Sequence, residues 1–256
     1  MFNGNILRDA IISAANNLAN NRKPVDDLNV FPVPDGDTGT NMSMTLSNAV
    51  RELSNVEGET AGKVAKINAS ALLRGARGNS GVITSLLFRG FAKGIGDDEN
   101  VTAENLARAF ELGVEAAYKA VMKPKEGTIL TVARGAAEKA HKLADDGADD
   151  MEKFISDVIE HARYVLSQTP ELLPVLKQAG VVDSGGYGFV TALEGIVAAV
   201  EGNPITAVET AKSTSSAASF ESFNTEDIKF AYCTECIVTK SDKYQGEETA
   251  GELHKY

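Results

Sequence analysis

The strongest constraint on this chain is an apolar periodicity of about 3.6 residues that recurs from the N-terminus to about position 200, with no convincing strand-like alternation between repeats. Ile6, Ala10, Ile11, Ala14 and Leu18 form the first stripe, and Asn20-Asn21 ends it. Further helices are predicted over 41–53, 60–73, 82–92, 102–121, 129–144, 151–168 and 186–201, with a short one near 170–178. Roughly eight helices in succession bury such stripes most simply against antiparallel neighbours. The expected fold class is therefore all-α, an antiparallel eight-helix bundle or barrel.

The composition changes beyond residue 205. Lys212 to Ser219 is small and polar, which suits a flexible linker. Ile228 to Val238 alternates and is rich in β-favouring residues, so it reads as a strand. About 20 residues follow it, too few for a domain of their own. The expected organisation is a helical domain over 1–205, a linker over 206–224, and over 225–256 the start of a second domain whose remainder is missing.

Charge narrows the partners. A net charge of −11 disfavours nucleic acid or an anionic membrane surface as the main partner, although a bound cation can invert the sign of a local acidic site. No basic region followed by an apolar core opens the chain, and no apolar run reaches the length of a membrane span. Two cysteines make no disulfide framework, so a cytoplasmic location without membrane insertion is expected. Cys233-x-x-Cys236 is half of a zinc site's spacing and otherwise reads as a pair of buried or incidental thiols.

The chemistry concentrates in residues 29–42, Asn-Val-Phe-Pro-Val-Pro-Asp-Gly-Asp-Thr-Gly-Thr-Asn-Met. Pro32 and Pro34 stiffen the approach, and Asp35 and Asp37 flank a glycine just before a helical pattern. Thr38, Thr40 and Asn41 add oxygens suited to a helix cap or a ligand. Two close carboxylates at a helix start suit Mg²⁺, which takes one or two carboxylates plus phosphate oxygens and water. A solvated Asx-rich turn is the plainer reading of the tripeptide alone.

Three glycine loops follow. Arg77-Gly78-Asn79-Ser80-Gly81 precedes a helix in a form that suits an anion, or is an ordinary helix-to-helix turn. Gly127-Thr128-Ile129 either places Thr128 near a phosphate or starts a helix through a Thr128 cap, and the cap is the simpler assignment. Asp183-Ser184-Gly185-Gly186 either approaches a nucleoside, with Asp183 as polar anchor, or turns tightly with Asp183 as a cap. None of them matches the P-loop or the dinucleotide-binding glycine pattern. His141, His161 and His254 belong to none of these loops, and Asp145-Asp146 with Asp149-Asp150 reads as a solvated acidic face.

Together these four blocks resemble the DAK2 (DhaL-like) kinase domain over roughly residues 1–205, and within it the fatty acid kinase branch more than the dihydroxyacetone kinase branch. The resemblance implies a helical barrel holding ATP or ADP and two Mg²⁺ ions at one end. It implies metal ligands at Asp35 and Asp37, with Asn29 near the place of a third acid, and catalytic roles for Asp35, Asp37 and Thr38. Phosphate contacts would come from Thr38, Asn41, Gly78, Asn79, Ser80, Gly81 and Thr128, and nucleoside contacts from Asp183 to Gly186, Gly185 and Gly186 included. The dihydroxyacetone kinase branch has histidine where this chain has Thr38. The implied activity is transfer of the ATP γ-phosphoryl group to a fatty acid carboxylate presented by a separate fatty-acid-binding protein, giving an acyl phosphate. A homodimer is compatible with it. A dihydroxyacetone-type kinase subunit and a non-catalytic nucleotide-binding scaffold are the competing expectations.

Overall fold

The computed structural model describes residues 2–208. The expected strand at 228–238, the cysteine pair, His254, the expected start of a second domain and most of the expected linker lie outside the described residues. Eight long helices make up the described chain: α1 (Gly4–Asn20), α3 (Thr38–Leu53), α4 (Ala61–Gly75), α5 (Gly78–Ile95), α6 (Ala103–Ala120), α7 (Ile129–Asp145), α8 (Met151–Leu172) and α10 (Ser184–Val200). Two six-residue helices, α2 (Arg22–Asp27) and α9 (Pro174–Ala179), sit in the connections. A short antiparallel pair, β1 (Phe2–Asn3) with β2 (Asn100–Val101), ties the first residues to the loop before α6.

The long helices pack in sequence, and α10 closes on α1 to complete the ring. The apolar stripes of α1, including Ala10, Ile11, Ala14 and Leu18, are buried in the common core together with Met42, Leu46, Leu72, Phe154 and Ile159. Four capped starts set the register of their helices: Asn3 accepts from the Ile6 amide, Thr60 from Lys63, Asp150 from Lys153, and Thr102 forms a reciprocal capping box with Asn105.

The structure corrects several predicted boundaries. The third helix-forming stretch, α3, starts at Thr38 rather than 41, because Asp26 on α2 receives the Thr40 amide at 2.9 Å and the Thr40 hydroxyl at 2.8 Å. The Gly78-Asn79-Ser80-Gly81 stretch, predicted as a loop, is the first turn of α5. Likewise α8 runs through Pro170 to Leu172 instead of stopping at 168. Proline at 170 cannot donate to the Leu166 carbonyl, and the Thr169 hydroxyl bonds that carbonyl instead at 2.7 Å.

Because the chain runs up and down, every second long helix begins at the same end of the ring. These are α3, α5, α7 and α10. The connections before them carry the acidic loop and the three glycine loops. That topology, rather than proximity in sequence, gathers them.

Candidate functional site

At that end a cleft of about 600 Å³ opens between the four helix starts. Its walls include Asn29, Asp35, Asp37, Thr38, Asn41, Gly78, Asn79, Ser80, Thr128, Asp183 and Gly185. Of the metal, phosphate and nucleoside contacts that the resemblance implies, Gly81 and Gly186 are the two that do not line it. They are packing positions: a Cβ on Gly81 would lie 2.3 Å from the Thr45 hydroxyl, and one on Gly186 would lie 2.8 Å from Val132.

The acidic loop is built to hold two carboxylates together. Gly36 takes a φ of 66°, in the left-handed region, and this lets the chain reverse between Asp35 and Asp37. Asn29, only 7% exposed, donates its amide to Asp35 at 2.8 Å, while its side-chain oxygen is buried without a hydrogen-bond partner. Asp37 occupies the N-cap position of α3 but makes no capping bond with its side chain. Partial burial and the nearby charges of Asp35 and Asp26 push its carboxyl above the usual range, and a hydrogen bond from Asn41 only partly offsets this. Crowded carboxylates beside an unpartnered amide oxygen are the donor set a hard cation would complete. Among the described residues no three His, Cys, Asp or Glu side chains cluster as a metal site, and what this loop would offer such an ion is the two carboxylates and the Asn29 amide oxygen.

The helix starts facing these acids differ in what they leave open. In α5 the first intrahelical bond runs from the Gly81 amide to the Arg77 carbonyl, and no side chain caps the turn. The amides of Gly78, Asn79 and Ser80 therefore have no intrahelical acceptor, which is the arrangement that receives an anion. Gly78 has φ 58°, and a Cβ there would strike the Asn41 amide nitrogen at 2.4 Å. Thr38 is buried, and its hydroxyl lies 3.2 Å from that of Ser184, joining the starts of α3 and α10. The Ser80 hydroxyl points at the Thr38 carbonyl across 3.4 Å, a long contact.

Thr128 departs from the capping expectation. It stands at the N-cap of α7 yet makes no cap bond, and its hydroxyl donates to the Lys125 carbonyl at 2.8 Å. Asp183 lies across both helix starts. Its carboxylate accepts from the Gly186 amide at 2.7 Å and caps α10, with the Ile129 amide of α7 near enough to favour its ionised form. Burial outweighs both and raises its pKa from 3.8 to about 6. The neutral form is thus favoured by folding. This contribution to stability is full below pH 3.8 and is lost as pH rises through 6, amounting to about 3 kcal/mol at most. An Asp183→Asn protein should lose that pH dependence, and Asp183→Ala should lose it too while lying below Asp183→Asn by about 1–2 kcal/mol at every pH for the missing cap. Urea unfolding at pH 4, 5.5 and 7 reads both, and a pH-independent gap between wild type and Asp183→Asn would refute the buried-acid account.

Sequence reasoning missed part of the cleft. Phe31, Pro32, Val33, Val82, Ile83 and Leu86 form an apolar wall, with Ala120, Val121, Ile129 and Leu130 further along. Lys123 and Lys125 are the cations that line the cleft. The lysines flank Pro124 just before the Gly127-Thr128 loop, a signal the sequence does carry. The two histidines among the described residues stay away from the cleft: His141 pairs with Glu111 at 3.2 Å, and His161 lies beside the Tyr164 ring.

A helical ring with one polar cleft built from alternate helix starts defines the class of this domain. The chain belongs to the DAK2 domain family, whose model matches residues 32–198. It is 46% identical over 244 residues to Protein YloV of Bacillus subtilis, covering 93% of this chain and 44% of that protein. An uncharacterized protein of Staphylococcus haemolyticus is 47% identical over 242 residues, with the same coverage. The chain thus spans less than half the length of these relatives. Among solved structures, the native dihydroxyacetone kinase of C. freundii matches with a TM-score of 0.53 at 15% identity, over 78% of this chain and 36% of that one. The same enzyme in complex with AMP-PNP and Mg²⁺ matches with a TM-score of 0.53 at 16% identity, over 78% and 35%. At this identity the likeness is one of fold, and the fold is the all-α DhaL-like one. No helix among the described residues is long and apolar enough to cross a membrane.

Proposed function

We propose that this domain binds Mg·ATP in the cleft and transfers the γ-phosphoryl group to the carboxylate of a fatty acid held by a separate fatty-acid-binding protein. The observation that carries the nucleotide half is the uncapped start of α5 facing Asp35, Asp37 and the unpartnered Asn29 oxygen across one cleft. The DAK2 family and a structural neighbour solved with AMP-PNP and Mg²⁺ support it. Asp35, Asp37 and Asn29 would hold the metal, which when bound neutralises phosphate charge. The amides of Gly78, Asn79 and Ser80 would steady the transferring group as its charge spreads, with Thr38, Asn41 and Thr128 at its edge.

Two features favour a carboxylate acceptor. Among the described residues no histidine lines the cleft, and a fatty acid carboxylate is ionised at neutral pH, so its oxygen attacks the γ-phosphorus without a base while the bond to the ADP oxygen breaks. The apolar cavity inside the ring, between Phe88, Phe110 and Phe189, holds only about 50 Å³, room for one or two water molecules rather than an acyl chain. The tail must then be held elsewhere, which fits a carrier protein that presents the head group. The full-length protein, with Mg·ATP and an acyl-loaded carrier, should form acyl phosphate, trapped as the hydroxamate. Dihydroxyacetone phosphorylation in its place would favour the second reading, and nucleotide binding with no transfer to either acceptor would favour a scaffold.

A further inference from the structure

The connection from α6 to α7 has one side chain whose role neither a helix cap nor the cleft explains. Glu126, half-exposed, collects four donors from the two flanking helices. The Tyr118 hydroxyl reaches it at 3.2 Å, the Thr131 hydroxyl at 2.7 Å, and the two terminal nitrogens of Arg134 at 3.1 and 2.7 Å. The Arg134 guanidinium also lies 5.8 Å from the centre of the Tyr118 ring. Thr131 closes the arrangement by accepting the Gly127 amide at 2.9 Å. A Cβ on Gly127 would lie 2.9 Å from the Thr169 carbonyl, so the strand of chain is wedged against the end of α8 at this point. Burial raises the Glu126 carboxyl, but the Thr131 bond and the Arg134 charge outweigh it and hold the group ionised.

These fasteners all act on the C-terminal half of the connection. Among the described residues, Met122, Lys123 and Pro124 make no side-chain hydrogen bond. Yet the two lysines of this connection are the cations that line the cleft. A lysine ammonium is a point charge on a flexible stem, so the position of its backbone decides what it can reach. A bidentate arginine bound to Glu126 has a second effect. It neutralises the carboxylate next to Lys125, which would otherwise compete with a ligand phosphate for that lysine.

We infer that Glu126, held by Tyr118, Thr131 and Arg134, is a positioning residue that fixes the 121–128 connection so that Lys123 and Lys125 serve the polyphosphate part of the ligand. This rests on the reading of the cleft as a nucleotide site. Glu126 touches neither the ligand nor the metal; it acts through the lysines.

The test uses the full-length protein and separates polyphosphate from nucleoside recognition, with isothermal titration of Mg·AMP-PNP, adenosine and Mg-tripolyphosphate. Glu126→Gln should weaken AMP-PNP and tripolyphosphate about tenfold and leave adenosine unchanged. Lys123→Ala/Lys125→Ala should weaken the same two ligands, and adding Glu126→Gln to it should cost little more, since both act on one interaction. The exchange Glu126→Arg/Arg134→Glu should recover most of the loss. Equal weakening of adenosine, or a full additive loss in the triple variant, would reduce Glu126 to a structural role and overturn the inference. Wild-type binding of AMP-PNP that Glu126→Gln leaves unchanged would overturn the inference and leave the nucleotide reading intact. Wild-type protein that binds neither AMP-PNP nor tripolyphosphate would overturn both.

Discussion

Replacing Asp35 and Asp37 together with alanine should abolish Mg²⁺-dependent nucleotide binding and lower phosphoryl transfer by at least about 10³-fold, with a fall in the melting temperature of the free protein no larger than the lost Asn29–Asp35 hydrogen bond accounts for. The two halves of this expectation have different causes. In the free protein the pair is unfavourable, because burial and the Asp35 charge already push Asp37 toward protonation. Nor does Asp37 cap α3 with its side chain, so no helix start is weakened by its loss. On the Mg·ATP reading, the same crowding would become the source of affinity once a divalent ion is bound. Calorimetric titration with and without Mg²⁺, beside thermal unfolding of the free protein, reads both. Normal Mg·ATP affinity in the double variant would sink the metal assignment. A large drop in melting temperature would show that the carboxylates are structural.

The largest stability effect should come from the crossing of α5 and α6. Gly90 and Gly94 stand one turn apart on α5. A Cβ on Gly90 would lie 2.0 Å from the Leu112 carbonyl oxygen, and one on Gly94 would lie 2.3 Å from the Ala109 Cα. From the other side, a Cβ on Gly113 would lie 2.7 Å from the Leu87 carbonyl oxygen. The obstacles are backbone atoms, which cannot rotate away as a side-chain tip can. Separating two packed helices to admit a methyl group opens voids along the whole contact. Gly90→Ala and Gly94→Ala should each cost about 3 kcal/mol, even after the roughly 1 kcal/mol that alanine returns in helix propensity. For a chain of this size each is then a fall of about 6–12 °C in melting temperature. Near-normal unfolding of the double variant would mean that the helices slide apart cheaply and that the crossing is not close-packed.

The helices were legible because burial imposes its period on each stretch of sequence by itself. Their number follows, and so does the antiparallel order, since short connections force antiparallel neighbours; closure of α10 on α1 into a ring is what the folded chain adds. Starts and stops were less legible. The start of α3 depends on Asp26, fourteen residues before the amide it binds. The continuation of α8 past Pro170 depends on a threonine hydroxyl that replaces a lost donor. The short helix α2 contains Pro24 and has too few residues to show a period. In the cleft, residue types with evident chemistry stood out: paired acids, glycines before helices, an asparagine beside them. The apolar wall from Phe31 to Leu86 did not, because a valine facing a ligand and a valine facing the core look alike in sequence. Asp183 shows the same limit. Its position suggested a cap or a ligand contact, and only the folded chain shows the carboxylate buried as the cap of α10 beside the start of α7.

The alternation of helix direction also divides the molecule's connections into two classes by simple parity. Those before α3, α5, α7 and α10 meet at the cleft, and those after the same helices meet at the opposite pole. A hairpin of two helices could be inserted into the ring and every later helix would keep its pole. A single added helix would send all that follow to the wrong one. Insertions at the far pole, in the turns near residues 54–60, 96–102 and 146–150, leave the cleft's walls untouched. The fold therefore separates the loops that must keep their geometry from those free to lengthen, with no boundary between domains to do so.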